Sequence, residues 1–221
     1  MKLPSKLAVF LAALPLAAAA QDAAKVDPAH YKVLIDNAAV RVLRIEMAAG
    51  AKSVMHSHPD AMLVPLASAK ARFTLPDGKT TDNTLVKDTP LYTPAFTHLP
   101  ANVGTGPVEA ILVEFKASAP GSATLPTARP NATLTPLADG PRASAYKLTL
   151  SPTFHEPAGS SHDYDQVVIA LAAGDTSLAI EGQPLISKWK RGDVAFIGRG
   201  VKHESMNPTG KPVDLIIVGV K

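Results

Sequence analysis

The chain aligns with itself. Laying residues 102–116 over residues 207–221, an offset of +105, matches Asn102 with Asn207, Pro107 with Pro212, Ile111 with Ile216, Val113 with Val218 and Lys116 with Lys221. The same offset sets His98 on His203 and Leu66 on Leu171, and one indel earlier, at +104, His58 falls on His162. A register held over such a span marks a duplicated structural unit. The chain must therefore build one architecture twice, each copy completed within about a hundred residues.

Each copy reads as strands. Val40, Val42, Arg44 and Glu46 alternate with Leu43, Ile45 and Met47, the period of a strand with two distinct faces. Residues 70–75 run into Pro76-Asp77-Gly78, a turn signal. Residues 110–115 form an apolar run with no breaker, as a buried strand does. Residues 146–150, 166–171, 177–180 and 215–220 repeat the theme. Short strands closely punctuated by Gly and Pro predict an all-β sandwich or barrel, and no stretch after residue 20 has a helical period. Between the copies, residues 118–144 carry Pro120, Pro126, Pro130, Pro136 and Pro141. Proline at that density excludes a central strand or helix interior, so this segment is expected to be a linker that can strap across the surface.

Residues 1–20 read as an address rather than as structure. Lys2 and Lys6 precede an apolar stretch from Leu7 to Leu16, and Ala18-Ala19-Ala20 supplies small residues before Gln21. This is the layout of a secretory signal peptide, with cleavage expected after Ala20 and a mature protein that is periplasmic or secreted. The stretch, interrupted by Pro15, is too short to span ~30 Å of hydrocarbon comfortably, so no membrane association is expected after cleavage. The formal net charge of +3 becomes +1 once Lys2 and Lys6 are removed. So nearly neutral a chain, with one Trp, four Tyr and six Phe, offers no case for nucleic acid. The absence of Cys excludes a disulfide framework, a Cys-ligated zinc, an iron–sulfur cluster and a thiol nucleophile.

Chemistry gathers at the histidines. His56-Ser57-His58 places two imidazoles on one face of a strand, about 7 Å apart along the chain, where they can converge on one ion. His98 can arrive from a neighbouring strand as a third ligand. Three neutral imidazoles with open positions suit Fe(II), Zn(II), Mn(II), Ni(II) or Cu(II). Taken alone, a His-x-His pair is as often a pair of surface polar residues. Asp60 is a candidate for orienting a ligand imidazole, or for capping a turn. Asn102 and Asn207, each four residues after a His, are expected to satisfy turn backbone. His155-Glu156 reads as a loop pair or as a source of a replacement ligand. Asp163-Tyr164-Asp165 stands as a substrate-binding or solvent-facing stretch, and His30 and Tyr31 carry no visible pattern.

Gly50-x5-His56-x-His58 followed by Pro94-x3-His98-x3-Asn102 resembles the two signature motifs of the cupin superfamily. In the second copy, Gly192-x5-Gly198-x-Gly200-x2-His203-x3-Asn207 resembles the second motif, with Gly198 where proline is usual, and His162-x3-Gln166 resembles the tail of the first. The strings His56–Asp60, Pro76–Lys79 and Pro94–His98 are similar to those of small bacterial cupin-domain proteins. The resemblance covers nearly the whole mature chain. It implies two tandem jelly-roll β-barrel domains, over residues 29–117 and 145–221, and a divalent transition metal, with Fe(II) favoured.

Departures from the pattern shape the expected chemistry. The carboxylate that normally closes the first motif is replaced by Met62 and Leu63, which leaves a three-His site of His56, His58 and His98 and argues against oxalate chemistry. Such a site resembles the three-His iron dioxygenases of the superfamily, which cleave thiols or β-diketones. In the second copy Ser160 stands for the first His and Gln166 for the carboxylate. His162, Gln166 and His203 therefore form a poorer donor set. Three readings follow. The chain is an exported, metal-dependent oxidoreductase of dioxygenase type acting on a small anionic substrate. Alternatively it is a non-catalytic periplasmic binder of a metal or small ligand, or a structural bicupin without functional metal. Its expected partners are a small-molecule ligand and no nucleic acid. It is expected to be a pseudo-dimeric monomer or a homo-oligomer.

Overall fold

Two copies of one strand plan lie in sequence, as the internal repeat requires. The computed structural model describes residues 21–116, 126 and 128–221; the leader expected over residues 1–20 lies outside these. A single helical turn, α1 (Ala23–Val26), precedes β1 (Tyr31–Asp36), β2 (Val40–Met47), β3 (His56–His58), β4 (Ala61–Pro65), β5 (Ala69–Thr74), β6 (Thr80–Leu85), β7 (Leu91–Thr93), β8 (Phe96–Asn102) and β9 (Val108–Phe115). The second copy holds β10 (Ala132–Asp139), β11 (Ala143–Leu150), β12 (His155–Ser160), β13 (Asp165–Ala170), β14 (Ser177–Ile180), β15 (Val194–Ile197), β16 (His203–Met206) and β17 (Val213–Val220).

In the first copy a five-stranded sheet, β1-β2-β9-β4-β7, accompanies a four-stranded one, β3-β8-β5-β6. In the second the orders are β10-β11-β17-β13-β15 and β12-β16-β14. The correspondence is strand for strand, except that β6 has no counterpart among the described residues. Two antiparallel sheets in this order make a jelly roll, so the chain is all-β with two tandem barrels. The asparagines confirm the equivalence. Asn102 Nδ2 donates to the carbonyls of Met47 (3.1 Å), Ala48 (3.0 Å) and Gly106 (2.9 Å). Asn207 Nδ2 does the same to Leu150 (3.4 Å), Ser151 (2.9 Å) and Lys211 (2.7 Å). Each therefore ties the end of its barrel's second strand to the turn before its last, as expected of a turn-satisfying residue.

Strand alternation sorts the apolar residues into three cores. Leu43, Ile45, Met47, Ala110 and Leu112 fill the first barrel. Leu148, Leu150, Leu178, Trp189 and Ile217 fill the second. The opposite faces of the two five-stranded sheets pack on each other through Val42, Ile111, Val113, Phe115, Ile216 and Val218. Residues 110–115 and 215–220 are almost wholly apolar, Glu114 excepted, because β9 and β17 bury both faces, one in a barrel and one between barrels. Arg191 adds a polar latch. Its Nε donates to the Leu66 carbonyl at 3.1 Å in one barrel, and its Nη1 donates to the Leu171 carbonyl in the other.

The linker expected over residues 118–144 is not linker throughout. Residues 132–139 form β10, which pairs with β11 along its length, so the second barrel's strands begin well before residue 145. Proline is tolerated there because β10 is an edge strand, and the register slips between Pro136 and Ala138. Proline stays out of the sheet interior, and the edge position of β10 accommodates it.

Candidate metal centre

The short β3 puts His56 and His58 on one face, both buried, as a two-residue strand spacing must. β8 pairs antiparallel with β3 so that His98 stands directly opposite His56. The three rings converge, with centroids 4.8 Å apart for His56 and His58, 4.9 Å for His56 and His98, and 5.5 Å for His58 and His98. One ring nitrogen from each lies within 4.8 Å of the others. The expectation that a neighbouring strand delivers His98 is met.

Hydrogen bonding assigns the inward nitrogens. His56 Nδ1 donates to the Val54 carbonyl at 2.8 Å, which turns its Nε2 inward without a partner. His98 has neither ring nitrogen paired among the described residues, although it is buried. Buried, unpaired imidazole nitrogens facing one another are costly unless something accepts their lone pairs. Burial and the charge of His58 lower the His56 pKa to about 4, and burial with the charges of His58 and His56 lowers that of His98 to about 2. Both rings are thus neutral at pH 7, the form that binds metal. This donor set fits a divalent transition ion.

The third imidazole is oriented by a group that the motif reading missed. His58 Nδ1 lies 2.7 Å from Glu114 Oε1, and Glu114 is buried near the end of β9. Arg41 Nε donates to Glu114 Oε2 at 2.6 Å, and its Nη1 to Asp22 Oδ2 at 2.6 Å. Burial works to raise the Glu114 pKa, but the hydrogen bonds from His58 and Arg41 outweigh it and hold the carboxyl ionised. A carboxylate on the outer nitrogen of a ligand imidazole fixes the tautomer and raises its basicity. The signal was present in the sequence. Glu114 is a charge inside an apolar run, and Arg41 shares the barrel-facing side of β2 with Leu43 and Ile45. Asp60, the orienting residue considered from sequence, instead accepts from Tyr92 Oη (2.8 Å) and the Ala95 backbone N–H (2.7 Å), so it secures a turn.

The Glu114 position has a counterpart in the second barrel. Ala61 of β4 stands across from Glu114 of β9. In the second barrel Gln166 of β13 stands across from Gly219 of β17. The pair is one small residue and one polar residue in both, with the strands exchanged.

Beside His58 and His98 lies a cavity of about 150 Å³. Ile45, Leu63, Phe73, Phe96 and Leu112 make it apolar. Asn83, Thr84, Thr93 and Tyr31 supply the remaining polar atoms, and among the described residues no Lys, Arg, Asp or Glu lines it. Tyr31, without pattern in the sequence, also packs its ring edge-on against His56, with centroids 4.8 Å apart. An apolar cavity of about this size accommodates one benzene ring.

The second barrel brings His162 and His203 together, with ring centroids 4.8 Å apart. Ser160 sits opposite His203, the place His56 takes opposite His98. Gln166 is buried with its Oε1 unpaired and lines the same small cavity as His203. The third acidic or imidazole donor is Glu156, from β12, whose Oε2 is 3.1 Å from His203 Nε2 and whose Oε1 is 3.5 Å from His162 Nε2. Its neighbour His155 turns outward to Glu204, at 2.9 Å. Asp165 accepts from the Arg199 backbone N–H at 2.7 Å and so holds a turn.

No protein-family model matches the chain, and no curated protein does. Solved structures do. AerE from Microcystis aeruginosa is similar over 87% of this chain and 97% of its own, at 14% identity and a TM-score of 0.62. A cupin 2 conserved barrel domain protein from Leptotrichia buccalis is similar over 86% and 88%, at 11% identity and a TM-score of 0.58. Salicylate 1,2-dioxygenase from Pseudoaminobacter salicylatoxidans is similar over 84% and 70%, at 11% identity and a TM-score of 0.59. At such identities the likeness speaks for the fold. The chain has the fold of the cupin superfamily, in its two-barrel form, and its first barrel carries a metal-type three-His group where the motif resemblance placed it.

Proposed function

We propose that this chain is an exported bicupin that holds one divalent transition metal, Fe(II) by preference, on His56, His58 and His98, and that it oxidises a small molecule with dioxygen. The observation that carries this reading is the convergence of three buried imidazoles, with unpaired nitrogens on His56 and His98, at the edge of an apolar cavity. Bound there, the metal supplies a Lewis acid and, as Fe(II), one-electron chemistry toward dioxygen. The chain's own residues bind, orient and exclude water. Glu114 fixes His58, Phe73 and Phe96 pack against His98, and the apolar lining dries the cavity. Because no cationic side chain lines it, an anionic substrate donor has only the metal to meet, and the body of the substrate must be apolar and about the size of one ring. A dioxygenase places both oxygen atoms in its product, so no external reductant is required. The non-catalytic binder remains the second reading, and the lack of any carboxylate or lysine in the lining favours it.

The test is a metal titration of protein purified from the periplasm, whose intact mass should start near Gln21. One tight equivalent is expected; His56→Ala should abolish it and His162→Ala should leave it. Dioxygen uptake by the Fe(II)-loaded protein with small aromatic acids or enols separates catalysis from binding. Two equal tight sites, or loss of tight binding on His162→Ala alone, would overturn the assignment of the working barrel.

A further inference from the structure

The second barrel repeats the donor geometry of the first but answers it with a different cation. Glu156, His162 and His203 each place one ligand atom within 4.8 Å of the others, the same limit met by His56, His58 and His98. Their Glu-and-two-His composition is one that zinc accepts readily. Serine at position 160, where the first barrel has His56, has therefore not emptied the site of donors. Into this group reaches Arg129, from the segment just before β10. Its Nη2 donates to Tyr164 Oη at 2.7 Å and lies 3.3 Å from His162 Nε2, and its Nη1 is 3.9 Å from Glu156 Oε2. The Arg129 side chain is only 9% exposed. Tyr164 Oη in turn lies 3.3 Å from Tyr146 Oη, and the Tyr164 ring stacks on His162 with centroids 5.3 Å apart. The space left is about 30 Å³, room for a water molecule.

We propose that Arg129 is a built-in cation that takes the place of a metal ion in the second barrel, so that Glu156, His162 and His203 form a latent divalent-metal site closed by the chain itself. A guanidinium stays charged at every accessible pH, and its planar fork satisfies several acceptors at once. It neutralises Glu156, which would otherwise be a partly buried carboxylate facing two imidazoles. It also repels a second cation across a few ångströms of low-dielectric interior, where such repulsion is poorly screened. The backbone makes the arrangement durable. The Ala132 N–H donates to the Arg129 carbonyl at 3.3 Å, which ties the arginine to the start of β10. The two barrels then differ in charge as well as in ligand count: one awaits a borderline-soft divalent ion and the other already holds its cation.

The experiment uses Co(II), whose visible absorption reports ligand type, on full-length mature protein. The parent carries His56→Ala to disable the first barrel, so the outcome does not depend on the proposed activity. With Arg129 present, no equivalent should bind that is lost on adding His203→Ala. With Arg129→Ala, one equivalent should bind, and adding His203→Ala should remove it. Arg129→Gln, which retains an amide donor for Tyr164, is the second variant if the alanine protein does not fold, and it should behave the same way. On wild-type protein, saturating Zn(II) should shift the imidazole nitrogen resonances of His56, His58 and His98 and leave those of His162 and His203 in place. A folded Arg129 variant that gains no His203-dependent equivalent would overturn the proposal. So would Zn(II)-induced shifts at His162 and His203 in the wild type.

Discussion

Replacing Glu114 separates a ligand-orienting carboxylate from a merely structural ion pair. Its Oε1 fixes His58 Nδ1 at 2.7 Å and its Oε2 receives Arg41 Nε at 2.6 Å. In Glu114→Gln the amide oxygen can still accept from His58, but the negative charge is gone and the amide group confronts Arg41. Loss of such a partner costs about 10–100-fold in metal affinity, which is ~1.4–2.7 kcal/mol, and the amide should fall near the lower end. Glu114→Leu removes the acceptor as well and should approach 100-fold. It also strands Arg41, although Asp22 still accepts from that guanidinium at 2.6 Å. The stability loss should therefore lie toward the low end of the roughly 3–5 kcal/mol seen when one member of a buried pair is deleted. Competition of the protein with a chromophoric chelator for Zn(II) measures the affinity, and thermal melts of the metal-free proteins measure the stability. Imidazole nitrogen chemical shifts supply a readout that structural loosening alone would not move. His58 should carry its proton on Nδ1 in the wild type and populate both tautomers in the leucine variant. A folded Glu114→Leu protein with unchanged Zn(II) affinity and an unchanged His58 tautomer would refute the orienting role.

Three further outcomes are expected. Metal-free protein should lose stability as pH falls below about 6.5, because His56 and His98, held at about 4 and about 2 by burial and by neighbouring imidazole charge, take up protons later than the unfolded chain does. Their contribution is complete above the unfolded value and is lost toward pH 4 and then pH 2, so a melting temperature unchanged between pH 7 and pH 5 would contradict it. Phe115→Ala should cost roughly 3–5 kcal/mol, and because Phe115 packs between the barrels, the urea transition reported by the single Trp189, inside the second barrel, should shift with it. A Trp189 transition left in place would mean that the barrels unfold separately. Gly192→Ala should destabilise by about 1–3 kcal/mol, since Gly192 has φ +82° and an added Cβ would meet Leu66 Cδ1 at 2.7 Å across the barrel interface; a variant that melts at the wild-type temperature would count against that contact.

Much of this molecule was legible because repetition and period are properties of one chain. The +105 register showed two copies, alternation in residues 40–47 separated the two faces of β2, and a two-residue spacing put His56 and His58 on one side. What escaped the sequence depends on lateral neighbours. Glu114 is brought to His58 by the pairing of β9 with β4, and Ala61 opposite it leaves room for the carboxylate. Arg129 fell in a proline-rich segment read as a connection, so its place inside the second barrel carried no periodic signal. Residues 132–139 were likewise assigned to the linker, because proline content cannot distinguish an edge strand from no strand.

The same dependence on neighbours explains how two copies of one scaffold can differ in chemistry while keeping their framework. The framework sits in backbone ties and in the sheet-to-sheet core: Asn102 and Asn207 hold equivalent carbonyls, and Val113 and Val218 meet the same central core. Changing those would weaken the framework that the two barrels share. The donor ends of β3, β12, β8 and β16 lie away from that core, where a substitution alters the charge of one cavity and little else. Glu114 opposite Ala61 places a carboxylate behind His58, so the first barrel presents three imidazoles and no inward carboxylate beside an apolar cavity. Gln166 opposite Gly219 places a neutral amide in the second barrel, while Glu156 enters from β12 and Arg129 enters to balance it. A carboxylate among the inward donors calls for a cation, and the chain supplies one. A carboxylate on an outward imidazole nitrogen is balanced from behind by Arg41, which leaves the inner face of the first barrel free for an ion.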